Sequence, residues 1–143
     1  MKKLLVLLAT LFILTGCSKS SGEPTVIEST IGSVTKSEFQ VYEDEGIFLV
    51  KIYDKDIDKS SKNVLMKDTG EMLASLSKIE EVKSVAIKWY APPFDQSDKK
   101  DFEEILAIRF EADTFETIDW ENNKTLDLES IASRYKQNDS LKD

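Results

Sequence analysis

The chain has no histidine and a single cysteine, and these two shortages narrow its chemistry more than any other feature of its 143 residues. Without imidazole it lacks the usual general base, the commonest zinc ligand and the side chain that titrates near neutral pH. One thiol cannot close an internal disulfide, so a domain built from this chain has to hold itself together by packing. The five glycines are scattered. They form neither a glycine-rich phosphate loop nor a Gly-x-Ser-x-Gly elbow, so the familiar phosphate-binding and serine-hydrolase signatures are missing. Basic residues number 19 against 27 acidic ones, for a net charge of −8. That balance speaks against nucleic acid as a partner, because phosphates are neutralised by clustered Lys and Arg. It also speaks against purely electrostatic adsorption to anionic lipid. The longest apolar run, Leu4 to Leu14 with Thr10 inside it, is well short of the ~20 residues needed to span a bilayer.

What is present begins at the N-terminus. Met1-Lys2-Lys3 is a short basic start, the Leu4–Leu14 run follows, and small residues lead to the lone Cys17. This is the layout of a secretory signal peptide. Its ending, Leu14-Thr15-Gly16-Cys17, resembles the lipobox of bacterial lipoproteins. The resemblance implies cleavage before Cys17, diacylglycerol on its sulfur, and attachment to the extracytoplasmic face of the cell membrane. Two acyl chains hold a protein stably where one holds it marginally. The leader contains Lys2 and Lys3 and no acid, so its loss makes the remaining chain more acidic still. Residues 1–16 are therefore read as signal peptide and 17–33 as the lipidated cysteine and a flexible Ser/Gly tether. Residues 34–137 are read as one domain and 138–143 as a polar tail. Val26-Ile27 and Ile31 suggest no more than a weak first strand.

Within the domain, Phe39–Tyr42 and Ile47–Tyr53 are β-rich runs separated by Glu43-Asp44-Glu45-Gly46, which predicts a hairpin. On its second strand Phe48, Val50 and Ile52 share one face, and Ile47, Leu49, Lys51 and Tyr53 share the other. From Ser60 to Glu81 the apolar residues Leu65, Met72, Leu76, Ile79 and Val82 recur at helical spacing, with Gly70 as a weak spot. Val85 to Tyr90 alternates as a strand and ends at Pro92-Pro93. Glu103 to Ala112 is the next strand, with Leu106, Ile108 and Phe110 inward and Ile105, Ala107 and Arg109 on the reverse.

Asp113 with Glu116 suggests a capping box opening a short helix. Phe115 and Ile118 point inward on it, and Trp120 closes one end of the core. Asp127 caps a last helix, on which Leu128, Ile131, Ala132 and Tyr135 line one face. The order predicts an α+β two-layer sandwich: a mainly antiparallel sheet of about four strands, made of two hairpins, packed against two helices.

Two acidic stretches invite a cation. Asp54-Lys55-Asp56-Ile57-Asp58 begins like an EF-hand loop, but Lys59 stands where glycine is needed and Leu65 where the bidentate Glu belongs. Asp95, Asp98 and Asp101 are neutralised nearby by Lys99 and Lys100. No metal or cofactor is therefore expected. The stretch that invites a partner is Trp89-Tyr90-Ala91-Pro92-Pro93-Phe94. Trp89 alternates with Ile87 as core, leaving Tyr90, Pro92, Pro93 and Phe94 as a candidate contact platform for an envelope protein. Lys88–Pro92, Ile118–Trp120 and Ile131–Tyr135 are similar to strings in small Gram-positive lipoproteins. That likeness implies no activity. The reading is thus an anchored interaction module without a catalytic motif. A small-ligand or cation-binding accessory lipoprotein is the alternative, and a carboxylate-based cell-wall hydrolase a further one.

Overall fold

The computed structural model describes residues 25–94 and 101–143. Cys17 with its lipobox, the first part of the tether, and Asp95 and Asp98 lie outside the described residues.

The fold is α+β. Helix α1 (Val26–Val34) precedes the hairpin β1 (Glu38–Asp44) and β2 (Ile47–Tyr53), followed by helix α2 (Lys62–Leu76). Strands β3 (Ser84–Ala91) and β4 (Glu103–Phe110) come next, then α3 (Ala112–Thr117) and a 3₁₀ helix (Trp120–Thr125). A single-turn α4 (Leu128–Ile131) and β5 (Arg134–Gln137) complete the chain. The five strands form one sheet in sequence order. Pairings β1–β2, β3–β4 and β4–β5 are antiparallel, and β2–β3 is parallel. The parallel pairing follows from α2: a helix carried over the sheet returns the chain in its original direction, as in a βαβ unit.

Several expectations are corrected. Residues 26–33 belong to a helix, neither a tether nor a strand, and Ile27 and Ile31 are buried in the core. The Thr25 hydroxyl caps this helix by accepting from the Glu28 N–H at 3.1 Å. The folded domain therefore starts before Val34. It also extends beyond Gln137: Leu141 is buried, and the Asn138 N–H donates to the Ile105 carbonyl at 2.7 Å. Helix α2 ends at Leu76, short of Glu81, and runs through Gly70 without a break.

Asp113 lies inside α3, which Glu111 precedes, and makes no cap of the expected kind. Asp127 does cap α4, its carboxylate accepting from the Ser130 N–H at 3.4 Å. That helix lasts one turn, because Ser133 is drawn to the edge of β4. Its N–H donates to the Arg109 carbonyl at 2.8 Å, and its hydroxyl accepts from the Glu111 N–H at 2.9 Å. Arg134–Gln137 consequently continues as a strand.

The core lies between the sheet and the helices. Phe48, Val50 and Ile52 of β2, Val85, Ile87 and Trp89 of β3, and Leu106, Ile108 and Phe110 of β4 all face it. The register shifts between Trp89 and Tyr90, so Ile105 has no partner across β3 and turns inward as well. At the other end of the core the Trp120 indole sits edge-on to Phe110, with centroids 5.2 Å apart, and donates to the Phe115 carbonyl at 2.9 Å.

The hairpin tip is a two-residue turn with Glu45 at φ 50° and Gly46 at φ 84°, the pair of positive angles that matches the twist of the flanking strands. The Gly46 carbonyl accepts from Lys83 and Ser84 at 2.9 and 3.2 Å. This contact pins the turn to the entrance of β3.

Candidate functional site

Among the described residues, the helices cover one face of the sheet and no element lies over the other. Strand alternation and the registers place three rows of side chains on this open face. Tyr42, Leu49, Ala86, Arg109 and Arg134 form the first row, and Gln40, Lys51, Lys88, Ala107 and Lys136 the second. Glu38, Tyr53, Tyr90 and Glu104 form the third. The small Ala86 and Ala107 lie diagonally at the centre, and between the taller neighbours they leave an open trough of about 740 Å³. Ile47, Leu49, Lys88 and the cations of β4 and β5 border it.

The charge of this face runs against that of the chain. Lys51 stands opposite Lys88, and Arg109 opposite Arg134. Like charges directly across a strand pair repel and destabilise. One of these pairs is compensated. The Lys88 ammonium lies 3.1 Å from the Glu104 carboxylate, and that of Lys51 lies 5.4 Å from the Tyr42 ring centroid and 5.9 Å from that of Tyr90. The other pair is not: among the described residues neither Arg109, Arg134 nor the adjacent Lys136 has an ion-pair partner. Tyr135, between Arg134 and Lys136 on β5, turns its ring to the opposite, core-facing side, and burial pushes its phenol above the ordinary range. Its hydroxyl donates to Gln137 at 2.8 Å.

The platform expected around Tyr90 divides. Tyr90 is on the open face and stacks on Tyr53 with centroids 4.9 Å apart, and Phe102 meets Tyr53 edge-on at 5.7 Å. Pro92 and Pro93 are buried, and Phe94 is half-buried beside them. Trp89 is core at 1% exposure, its indole N–H donating to the Thr69 hydroxyl at 2.9 Å. Of the expected set, Tyr90 alone lies on the open sheet face.

The arginine and lysine positions were open to sequence reasoning only in part. The reverse-face alternation of Lys51, Lys88 and Arg109 is legible strand by strand. Their convergence depends on a parallel register and on β5, which reads as helix.

Two of the acidic candidates, Asp54 and Asp58, are engaged by the backbone and by neighbours. Asp54 accepts from the Asp56 N–H at 2.8 Å and the Ser37 hydroxyl at 2.9 Å, and Asp58 accepts from the N–H and hydroxyl of Ser60. Among the described residues no three acidic, His or Cys side chains gather as metal ligands. Among the same residues no helix is long and apolar enough to cross a membrane. No protein-family model, curated protein or solved structure matches the chain.

Proposed function

We propose that the protein is a membrane-anchored extracytoplasmic lipoprotein acting as a protein-interaction module of the cell envelope, with the open face of its sheet as the contact surface. The observation that carries this reading is the uncovered face itself. It combines stacked aromatics, a shallow apolar trough and uncompensated cations, a composition suited to protein contact. The anchor rests on Leu14-Thr15-Gly16-Cys17. Helix α1 packs on α2 in the layer opposite this face. The first described element is thus in the layer opposite this face, which supports display of the face away from the anchor.

Two measurements test the two halves of the proposal. Metabolic labelling with a fatty acid should mark the protein and lose the mark in Cys17→Ala; retained labelling refutes the anchor. A photo-crosslinking residue at Ala107, in the trough, should capture an envelope protein in living cells. The same residue at the exposed Val64 of α2 should not. Equal capture from both positions, or none from Ala107, refutes the surface.

A further inference from the structure

Resting on that reading of the open face, we infer that its occupant is an extended acidic peptide segment of the partner. Its carboxylates meet Arg109, Arg134 and Lys136, while its apolar side chains lie along the Leu49–Ala86–Ala107 floor.

The first argument is charge. A chain of net charge −8 has gathered cations on one face and placed two of them, Arg109 and Arg134, directly opposite each other. Such a pair lowers the stability of the free protein. An anion placed between them removes the repulsion and gains charge-assisted hydrogen bonds from two planar guanidinium groups. Lys136 follows Arg134 by two residues on the same side of β5, beside Ala107. A second anionic group therefore finds a cation one row along.

The second argument is shape. The trough is open and shallow, lined by Ile47, Leu49 and two alanines as well as by cations. A small anion would leave that apolar floor wet, and so would a polymer of phosphodiesters. An extended peptide that carries both acidic and apolar residues on the side it turns to the sheet covers both parts, since every second side chain of a strand shares one face. The Tyr53–Tyr90 stack at the neighbouring row offers a further apolar edge. The membrane is disfavoured as occupant because α1, where the tether joins the domain, is in the opposite layer.

The test uses the full chain held in nanodiscs of neutral phosphatidylcholine and reads fluorescence polarisation of labelled probes. A short peptide of the repeat Glu-Ser-Leu-Ser, which places glutamate and leucine on one face when extended, should bind saturably and weaken with added salt. The same peptide with glutamine for glutamate should not bind, and poly(glycerol phosphate) should not displace the acidic peptide. Arg109→Gln and Arg134→Gln should each weaken binding about tenfold, the scale of a lost hydrogen bond to a charged group. Lys124→Gln, which removes a cation outside the sheet, should leave it unchanged. Arg134 is exposed, and Arg134→Gln should melt no lower than the parent, because the repulsion is gone. Equal binding of the glutamate and glutamine peptides overturns the inference, as does displacement by the phosphate polymer or full affinity in both arginine variants. If the peptides fail while Ala107 still crosslinks to a protein, only the acidic chemistry falls. If both fail, the surface falls with it.

Discussion

The Trp89 indole N–H reaches across the sandwich to the Thr69 hydroxyl at 2.9 Å, joining the middle of β3 to the middle of α2 inside the core. Both residues are buried, so water cannot replace either partner. Thr69→Val keeps the shape and removes the acceptor, which strands the indole N–H. The expected loss is about 1–3 kcal/mol, seen as a lower denaturant midpoint with an unchanged slope. An unchanged midpoint would mean that the bond contributes nothing net.

Two glycines should respond to alanine in opposite directions. Gly70 lies inside α2, and a β-carbon there would meet Asn123 and Leu128 at 3.6 Å, an ordinary contact distance. Gly70→Ala should raise stability by up to about 1 kcal/mol, the difference in helix propensity. Gly46 has φ 84°, and a β-carbon there would lie 2.9 Å from the Lys83 side chain and 3.1 Å from the Glu81 carbonyl oxygen. Gly46→Ala should lower stability by more than about 1 kcal/mol, because an L-residue is disfavoured at that angle and the backbone oxygen cannot yield. Thermal melts of the two variants beside the parent decide both. A fall for Gly70→Ala would show that α2 and the 3₁₀ helix are packed more tightly than these distances indicate.

The layers and most of the inward faces were legible in the sequence, because alternation and helical spacing report burial directly. Phe48, Val50 and Ile52, and Val85, Ile87 and Trp89, face the core as their spacing requires. Other elements were ambiguous for identifiable reasons. Val26, Ile27, Thr30, Ile31 and Val34 are β-branched or strand-favouring, so α1 reads as strand or tether. Its signature was nevertheless present in Thr25-x-x-Glu28 followed by Ile31 four residues after Ile27. Tyr135 points inward whether its segment is helix or strand, and only the pull of Ser133 toward β4 settles which. Ile105 turns inward through a bulge, a two-chain property that one strand's pattern does not contain. The site was the least legible part. Arg109 and Arg134 come from strands whose pairing local periodicity does not specify, whereas the prominent Pro92-Pro93 string turned out to be buried.

Asp68 should be a source of strain at neutral pH. Burial, and next the Glu71 carboxylate three residues on, push its carboxyl above the ordinary value near 3.8. A carboxyl raised on folding binds its proton more tightly in the native state, so ionising it costs stability at every pH above the folded value. Asp68→Asn should therefore raise the melting temperature at pH 7. The gain should shrink as pH falls through the raised value and vanish below the unfolded one, where both proteins are neutral at this site. Melts of parent and variant across the acid range test the sign. A variant less stable at pH 7 would show that the charged carboxylate is doing something favourable.

Lys62 ties the end of the chain to the start of α2. Its ammonium lies 2.6 Å from the Asp143 carboxylate and 3.3 Å from that of Glu129. Asp143 is the main cause that holds its pKa above the ordinary value near 10.5, against the opposing effect of burial. The sign is opposite to that of Asp68. A cation raised on folding contributes stability that is fully present below the unfolded value and is lost as pH rises through the folded one. The protein should thus lose stability above about pH 10.5, and Asp143→Asn should flatten that loss while lowering stability at pH 7. The same variant should speed amide exchange at Lys142, whose N–H donates to the Lys59 carbonyl at 2.6 Å, because the clamp holds that strap in place. If exchange at Lys142 is unchanged, the strap is held by the buried Leu141 alone and the ion pair is incidental.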